Sequence, residues 1–136
     1  MPLKKIDGAR MSNIIRVMVI DDEIHIRRLI DRMLVGRGFA VIGAKSGKQA
    51  LELMRQPNTR PDIITCDVSM PEMNGFDILE AVKSDPQLVD IPIIMLTAMG
   101  QTGEAYRARE MGAADYITKP FSTMGLIDIL KQHVSA

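Results

Sequence analysis

Apolar positions along the chain fall into two kinds of run that alternate almost from end to end. Short β-branched or all-apolar runs at residues 17–20, 39–44, 63–66, 91–96 and 114–118 have strand length, with Gly, Pro or acidic residues near most of their ends. Between them, apolar residues recur at helical spacing. Ile26, Leu29, Ile30 and Met33 follow the i, i+3, i+4, i+7 pattern and predict one buried helix face, stopped by Gly36 and Gly38. A second helix is expected over residues 47–55, closed by Pro57, and Phe76, Leu79 and Val82 mark the inner face of a third, ended by Asp85-Pro86. The fourth, about residues 102–111, has little beyond Ala105, Ala108 and Met111 to bury and is expected to be weakly anchored. The fifth starts at about Ser122, a plausible N-cap, with Ile127, Leu130 and Val134 facing in. Strands apolar on both faces, alternating with helices, predict an α/β fold: a five-stranded parallel sheet with helices on both faces.

Residues 1–13 contain Pro2 and Gly8 and show no periodicity, so they are expected to form a flexible extension, with one domain over residues 14–136. Met11-Ser12-Asn13 stands directly before the first strand and could be an alternative start. Lys4, Lys5 and Arg10 come without an apolar stretch, which is not the pattern of a secretory signal. With 136 residues, 46% apolar and 25% charged, the chain can bury a real core as one domain. Seventeen acids balance seventeen bases, so no global basic field exists to hold nucleic acid or an anionic membrane. The single cysteine cannot form an internal disulfide, and no apolar run approaches the roughly 18 residues that span a bilayer. A cytoplasmic location fits both.

The stretch Pro61–Gly75, PDIITCDVSMPEMNG, concentrates the candidate chemistry. Its apolar run ends abruptly at Asp67, Pro71 forbids continued regular structure, and Asn74-Gly75, a turn signal, directly precedes the next helical pattern. On this stretch alone Asp67 reads equally well as a functional acid or as a turn or capping one. Other strand tips decide between them: Asp21-Asp22 follow the first strand, Thr97 the fourth and Lys119 the fifth. In a parallel sheet these tips share one edge, where ligands bind. Three crowded carboxylates repel unless a cation joins them, and an oxygen-only set suits a hard ion such as Mg²⁺. With Lys119 as a point charge and Thr97 as a neutral donor, the parts are those of phosphoryl transfer to a carboxylate.

Ile20-Asp21-Asp22-Glu23, DVSMPEMNG from Asp67, Leu96-Thr97-Ala98, and DYITKPF from Asp115 to Phe121 resemble the receiver domain of two-component response regulators, over about residues 14–134. The resemblance implies a flavodoxin-like strand order 2-1-3-4-5. It makes Asp67 the phosphoacceptor for a sensor histidine kinase or His-phosphotransfer protein. Asp21, Asp22, Asp67 and the backbone carbonyl of Ser69 would hold Mg²⁺, with Mn²⁺ as an alternative. Thr97 and Lys119 would bind phosphoryl oxygens beside small Ala98, and Tyr116 would be a switch aromatic coupled to Thr97. Pro120 would follow a cis bond, while Ser69 and Met99 would tune dephosphorylation. It further implies a single-domain regulator, a signalling chain rather than an enzyme. Such a chain acts through its helix four–strand five–helix five face on an unidentified target protein, as a monomer or a weak phosphorylation-dependent dimer. A phosphate sink for a kinase is an alternative.

Other functions fit the residues less well. A haloacid-dehalogenase-type phosphatase wants a second Asp where Ser69 stands, and a flavin module wants a phosphate-binding loop where Asp21, Asp22 and Glu23 stand. A receiver with a decayed site is opposed by the intact residue set. Cys66 reads as a small buried hydrophobe; His25, Arg27-Arg28 and Arg107/Arg109 read as solvated helix residues.

Overall fold

Alternation within each strand sends side chains to two separate cores. The computed structural model describes residues 14–134; the extension expected over residues 1–13 lies outside the described residues. The elements run β1 (Ile15–Ile20), α1 (Ile24–Leu34), β2 (Phe39–Ala44), α2 (Gly47–Met54), β3 (Ile63–Asp67), α3 (Gly75–Lys83), β4 (Ile93–Ala98), α4 (Thr102–Glu110), β5 (Asp115–Lys119) and α5 (Thr123–His133). All strand pairs are parallel, in the order β2-β1-β3-β4-β5. Met18, Ile20, Ile64, Cys66 and Met95 face α2, α3 and α4. Val17, Val19, Ile63, Ile94 and Leu96 face α1 and α5. The expected architecture and strand order are those of the structure.

Several edges shift for local reasons. β4 starts at Ile93, because Pro92 has no amide to give the ladder, although Ile91 is buried beside it. β4 and β5 extend to Ala98 and Lys119, so Thr97 and Lys119 are strand residues held in register, Thr97 opposite Thr118 and Ala98 opposite Lys119. In α1 the buried stripe is Ile30 and Leu34, flanked by Ile26 and Met33; Leu29, expected inward, is 45% exposed. A helix of 3.6 residues per turn cannot hold Leu29, Ile26 and Leu34 all on one narrow face, and Leu34 takes the inner place. Gly36 ends this segment at φ +73°, a left-handed conformation that costs other residues dearly.

The three helices on the site-bearing side differ in how they start. Asn74 caps α3 reciprocally: its side chain accepts from the Asp77 amide at 3.0 Å, and the Asp77 carboxylate accepts from the Asn74 amide at 2.9 Å. Ser46 caps α2 by accepting from the Gln49 amide. Gln101, before α4, makes no side-chain cap bond, and α4 buries only Ala105 and Ala108. On the opposite side, Ser122 caps α5 as expected, and Leu126 joins Ile127 and Leu130 in its buried face. His133 in the last turn meets the Asp115 carboxylate at 2.9 Å, tying α5 to the start of β5.

Candidate functional site

Parallel pairing brings the ends of β1, β3, β4 and β5 to one edge, and the polar residues there converge. Asp21, Asp22 and Asp67 each present a carboxylate oxygen within 4.8 Å of the others. Asp21 is 1% and Asp67 5% exposed, whereas Asp22 is open to solvent. Lys119 extends from the end of β5 to place Nζ 3.0 Å from Asp67 Oδ1, and the Ser69 amide donates weakly to the same oxygen at 3.4 Å.

Asp21 is held on three sides. Its amide donates to the Ala44 carbonyl at 3.0 Å, its Oδ1 accepts from the Glu23 amide at 2.9 Å, and its carbonyl accepts from Arg27 Nη1 at 2.7 Å. Its Oδ2 is buried with no partner. A buried carboxylate oxygen without a donor costs desolvation energy unless a cation or proton satisfies it. Burial pushes the Asp21 carboxyl up to about 6; the Glu23 amide and Lys119 oppose the rise, and the charges of Asp67 and Asp22 add to it. An orphaned buried oxygen among three carboxylates is the donor set a hard divalent cation fits.

Thr97, 2% exposed, sits on the α4 side of the sheet, in line with Met95. Among the described residues no hydrogen bond joins it to Asp67 or Lys119. It lines, with Ala98, Ala105, Tyr116 and Thr118, a cavity of about 310 Å³ between β4, α4 and β5. Tyr116 is half-buried there, with the Arg109 guanidinium 5.2 Å from its ring centroid. A groove on the other flank of α4 is lined by Ser69, Pro71, Phe76, Glu104 and Arg107. The Lys119-Pro120 bond is cis, as the resemblance implied.

Cys66 is fully buried, and burial, followed by the charges of Asp67 and Asp21, pushes its thiol up, so it is a packing residue as expected. Three arginines read from sequence as solvated are not simply so. Arg107 stacks over Phe76 at 4.1 Å, Arg109 over Tyr116, and Arg27 reaches back to the β1 tip. Helical charge runs carry no sequence signal for such partners, because those partners lie on other elements.

Comparison with known proteins agrees with this geometry. Residues 17–131 match the family model described as the response regulator receiver domain. The chain is 37% identical to the chemotaxis protein CheY of Thermotoga maritima over 119 residues, covering 86% of this chain and 95% of that protein. It is 37% identical over 107 residues to the probable transcriptional regulator ycf27 of Guillardia theta, covering 79% of this chain but 40% of that protein. The chain thus spans less than half the length of that regulator. Among solved structures, chemotaxis protein CheY4 of Vibrio cholerae superimposes with a TM-score of 0.81 at 31% identity, covering 89% of this chain and 99% of that one. A response regulator of Chloroflexus aurantiacus gives 0.82 at 31% identity, covering 88% and 96%.

Proposed function

The chain belongs to the response regulator receiver domain family, and on that premise we propose that it accepts a phosphoryl group on Asp67 and uses the new charge to alter a protein-binding face. One observation carries the reading. The Lys119 ammonium lies 3.0 Å from the Asp67 carboxylate, inside a carboxylate group that leaves Asp21 Oδ2 buried and unpartnered.

The donor is the phosphohistidine of a sensor histidine kinase or of a phosphotransfer protein. An Asp67 carboxylate oxygen bonds to phosphorus while the bond from phosphorus to the imidazole nitrogen breaks, and the electron pair of that bond stays on nitrogen. Lys119 is placed to follow the negative charge as it spreads from the carboxylate onto phosphoryl oxygens. Asp21, Asp22 and Asp67, with the Ser69 carbonyl, would hold Mg²⁺, or Mn²⁺ in its place. Bound there, the ion offsets carboxylate repulsion and neutralises phosphoryl charge. The Ser69 amide already bonds Asp67, which puts that backbone at the site.

Output runs through Thr97. A charge-assisted bond from its hydroxyl to the phosphoryl group contributes about 1.5–3 kcal/mol, less than the roughly 5.5 kcal/mol that inverts a 1:99 equilibrium. The shift is therefore partial, and a bound target completes it. The cavity behind Thr97 gives Tyr116 room to move inward. Exposed Met99, Tyr106 and Met124 supply the apolar part of the responding face. The family is one of signalling domains and not of turnover enzymes; hydrolysis of its own acyl phosphate resets the switch.

The test is chemical trapping. Incubation with Mg²⁺ and a phosphohistidine donor, then borohydride reduction and peptide mass spectrometry, should place the label on Asp67. Asp67→Asn should abolish it. A label on another residue would overturn the assignment.

A further inference from the structure

We propose that Arg27 is a positioning residue for the cation site: its guanidinium holds the peptide group joining Asp21 to Asp22, and so sets where both carboxylates point. The inference rests on reading those acids as a Mg²⁺ site.

The peptide between Asp21 and Asp22 lies in a short link between two regular elements. β1 ends at Ile20 and α1 begins at Ile24. The sheet's last grip here is the Asp21 amide on the Ala44 carbonyl. Beyond it, the Asp21 carbonyl would turn to water were it not for Arg27 Nη1 at 2.7 Å. A trans peptide is planar over six atoms, so fixing that oxygen also fixes the amide and Cα of Asp22. Asp22 is exposed, and its direction depends on its backbone rather than on packing. One bond to one carbonyl therefore aligns both acids.

Arg27 is suited to the task because it is itself held. Its stem lies against Gly43 of β2, where a Cβ would stand 3.5 Å from Cδ and 3.7 Å from Nε. It is half-buried, while its neighbour Arg28 is exposed. A guanidinium stays charged at any working pH and gives a charge-assisted bond with directional geometry. Outer partners that orient ligands typically change metal affinity by 10- to 100-fold when removed.

Charge and position predict opposite signs here, which makes the test sharp. Deleting a cation beside a cation site should tighten Mg²⁺ if Arg27 acts only by its charge. Removing a positioning bond should weaken it. Mg²⁺ is titrated into the full chain with amide NMR as the readout, for wild type, Arg27→Met, Arg27→Lys and Arg28→Met. Melting curves establish that each variant is folded.

The expected result is a Kd about tenfold higher for Arg27→Met and unchanged or slightly lower for Arg28→Met. Arg27→Lys keeps charge and stem but ends short of the guanidinium nitrogens, so it should weaken Mg²⁺ by about threefold. A folded Arg27→Met with an unchanged or lower Kd overturns the proposal, even if its melting point falls. Should Arg27→Met not fold, Arg27→Lys decides: a higher Kd supports the role and an unchanged one refutes it. If wild type shows no saturable shift while the fold is intact, the cation site itself is wrong, and Arg27's role falls with it.

Discussion

Helices α3 and α4 both begin just after a strand has delivered a site residue, Asp67 for α3 and Thr97 for α4, and both lie on the same side of the sheet. They are built to opposite standards. α3 has a reciprocal cap, buries Phe76, Ile78, Leu79 and Val82, and starts at a glycine pressed against the backbone of the Asp67 loop. α4 has no side-chain cap bond and buries two alanines. Its arginines rest on aromatic rings at either flank, Arg107 on Phe76 and Arg109 on Tyr116. Such contacts contribute about 0.5–1 kcal/mol each where solvent reaches them. The site thus has a fixed wall and a loosely held one, and under the proposed function the first holds the reacting carboxylate in place while the second answers its change in charge.

The same substitution tests both walls, and the largest effect is expected at the fixed one. A Cβ at Gly75 would lie 2.6 Å from the Asp67 carbonyl oxygen and 2.9 Å from Val68 Cα, both backbone atoms that cannot swing away. Gly75→Ala should cost about 1–3 kcal/mol in urea unfolding. At Gly103, the second residue of α4, a Cβ meets nothing within 4 Å. Gly103→Ala should stabilise by up to about 1 kcal/mol, because it only reduces unfolded-chain freedom. Equal effects at both sites would break the comparison.

Metal and proton should act on the fixed wall. Because the Asp21 carboxyl rises to about 6, the folded metal-free chain keeps a proton that the unfolded chain releases above the ordinary carboxyl range. This group's contribution to stability therefore falls as pH rises through that window, and its penalty is fully present above about 6. Mg²⁺ should relieve the penalty and raise the melting point more at pH 7 than at pH 5. Its affinity should drop about tenfold between those values, as the proton competes for Asp21. Amide shifts on Mg²⁺ addition should gather near residues 21–23 and 67–69. Shifts of equal size along residues 102–110 would show that the two walls move together.

The smallest effect in energy is the resting motion of α4. Relaxation dispersion on the unphosphorylated chain should find microsecond–millisecond exchange in residues 97–118 and little in residues 63–83. A profile flat across both segments would leave Tyr116 without its second state.

The alternation of strands and helices, the polar residues at the strand tips and the weak inner face of α4 were legible because each follows from a pattern within a short segment, whereas the strand order came from the resemblance of four motifs to the receiver family. What was not legible lay between segments. Leu29 and Leu34 both suit a helical stripe, and only packing against β1 and β2 chooses Leu34. Arg27 and Arg28 are identical in sequence terms, yet one meets the Asp21 carbonyl and the other faces solvent. Asn74-Gly75 read as a turn signal and proved to be a cap followed by a close backbone approach, which no local composition reports.

Cys66 has a practical consequence. It is the chain's one thiol, seated on the central strand directly before Asp67 and shut off from solvent. While the sheet is intact, a thiol reagent finds nothing to modify, so a cysteine placed on the surface of α4 could take a spectroscopic label without first replacing Cys66. When β3 opens, Cys66 becomes reactive. Its rate of modification by a chromogenic disulfide then clocks the opening of the strand that carries the proposed phosphoacceptor, with no label added and no residue changed.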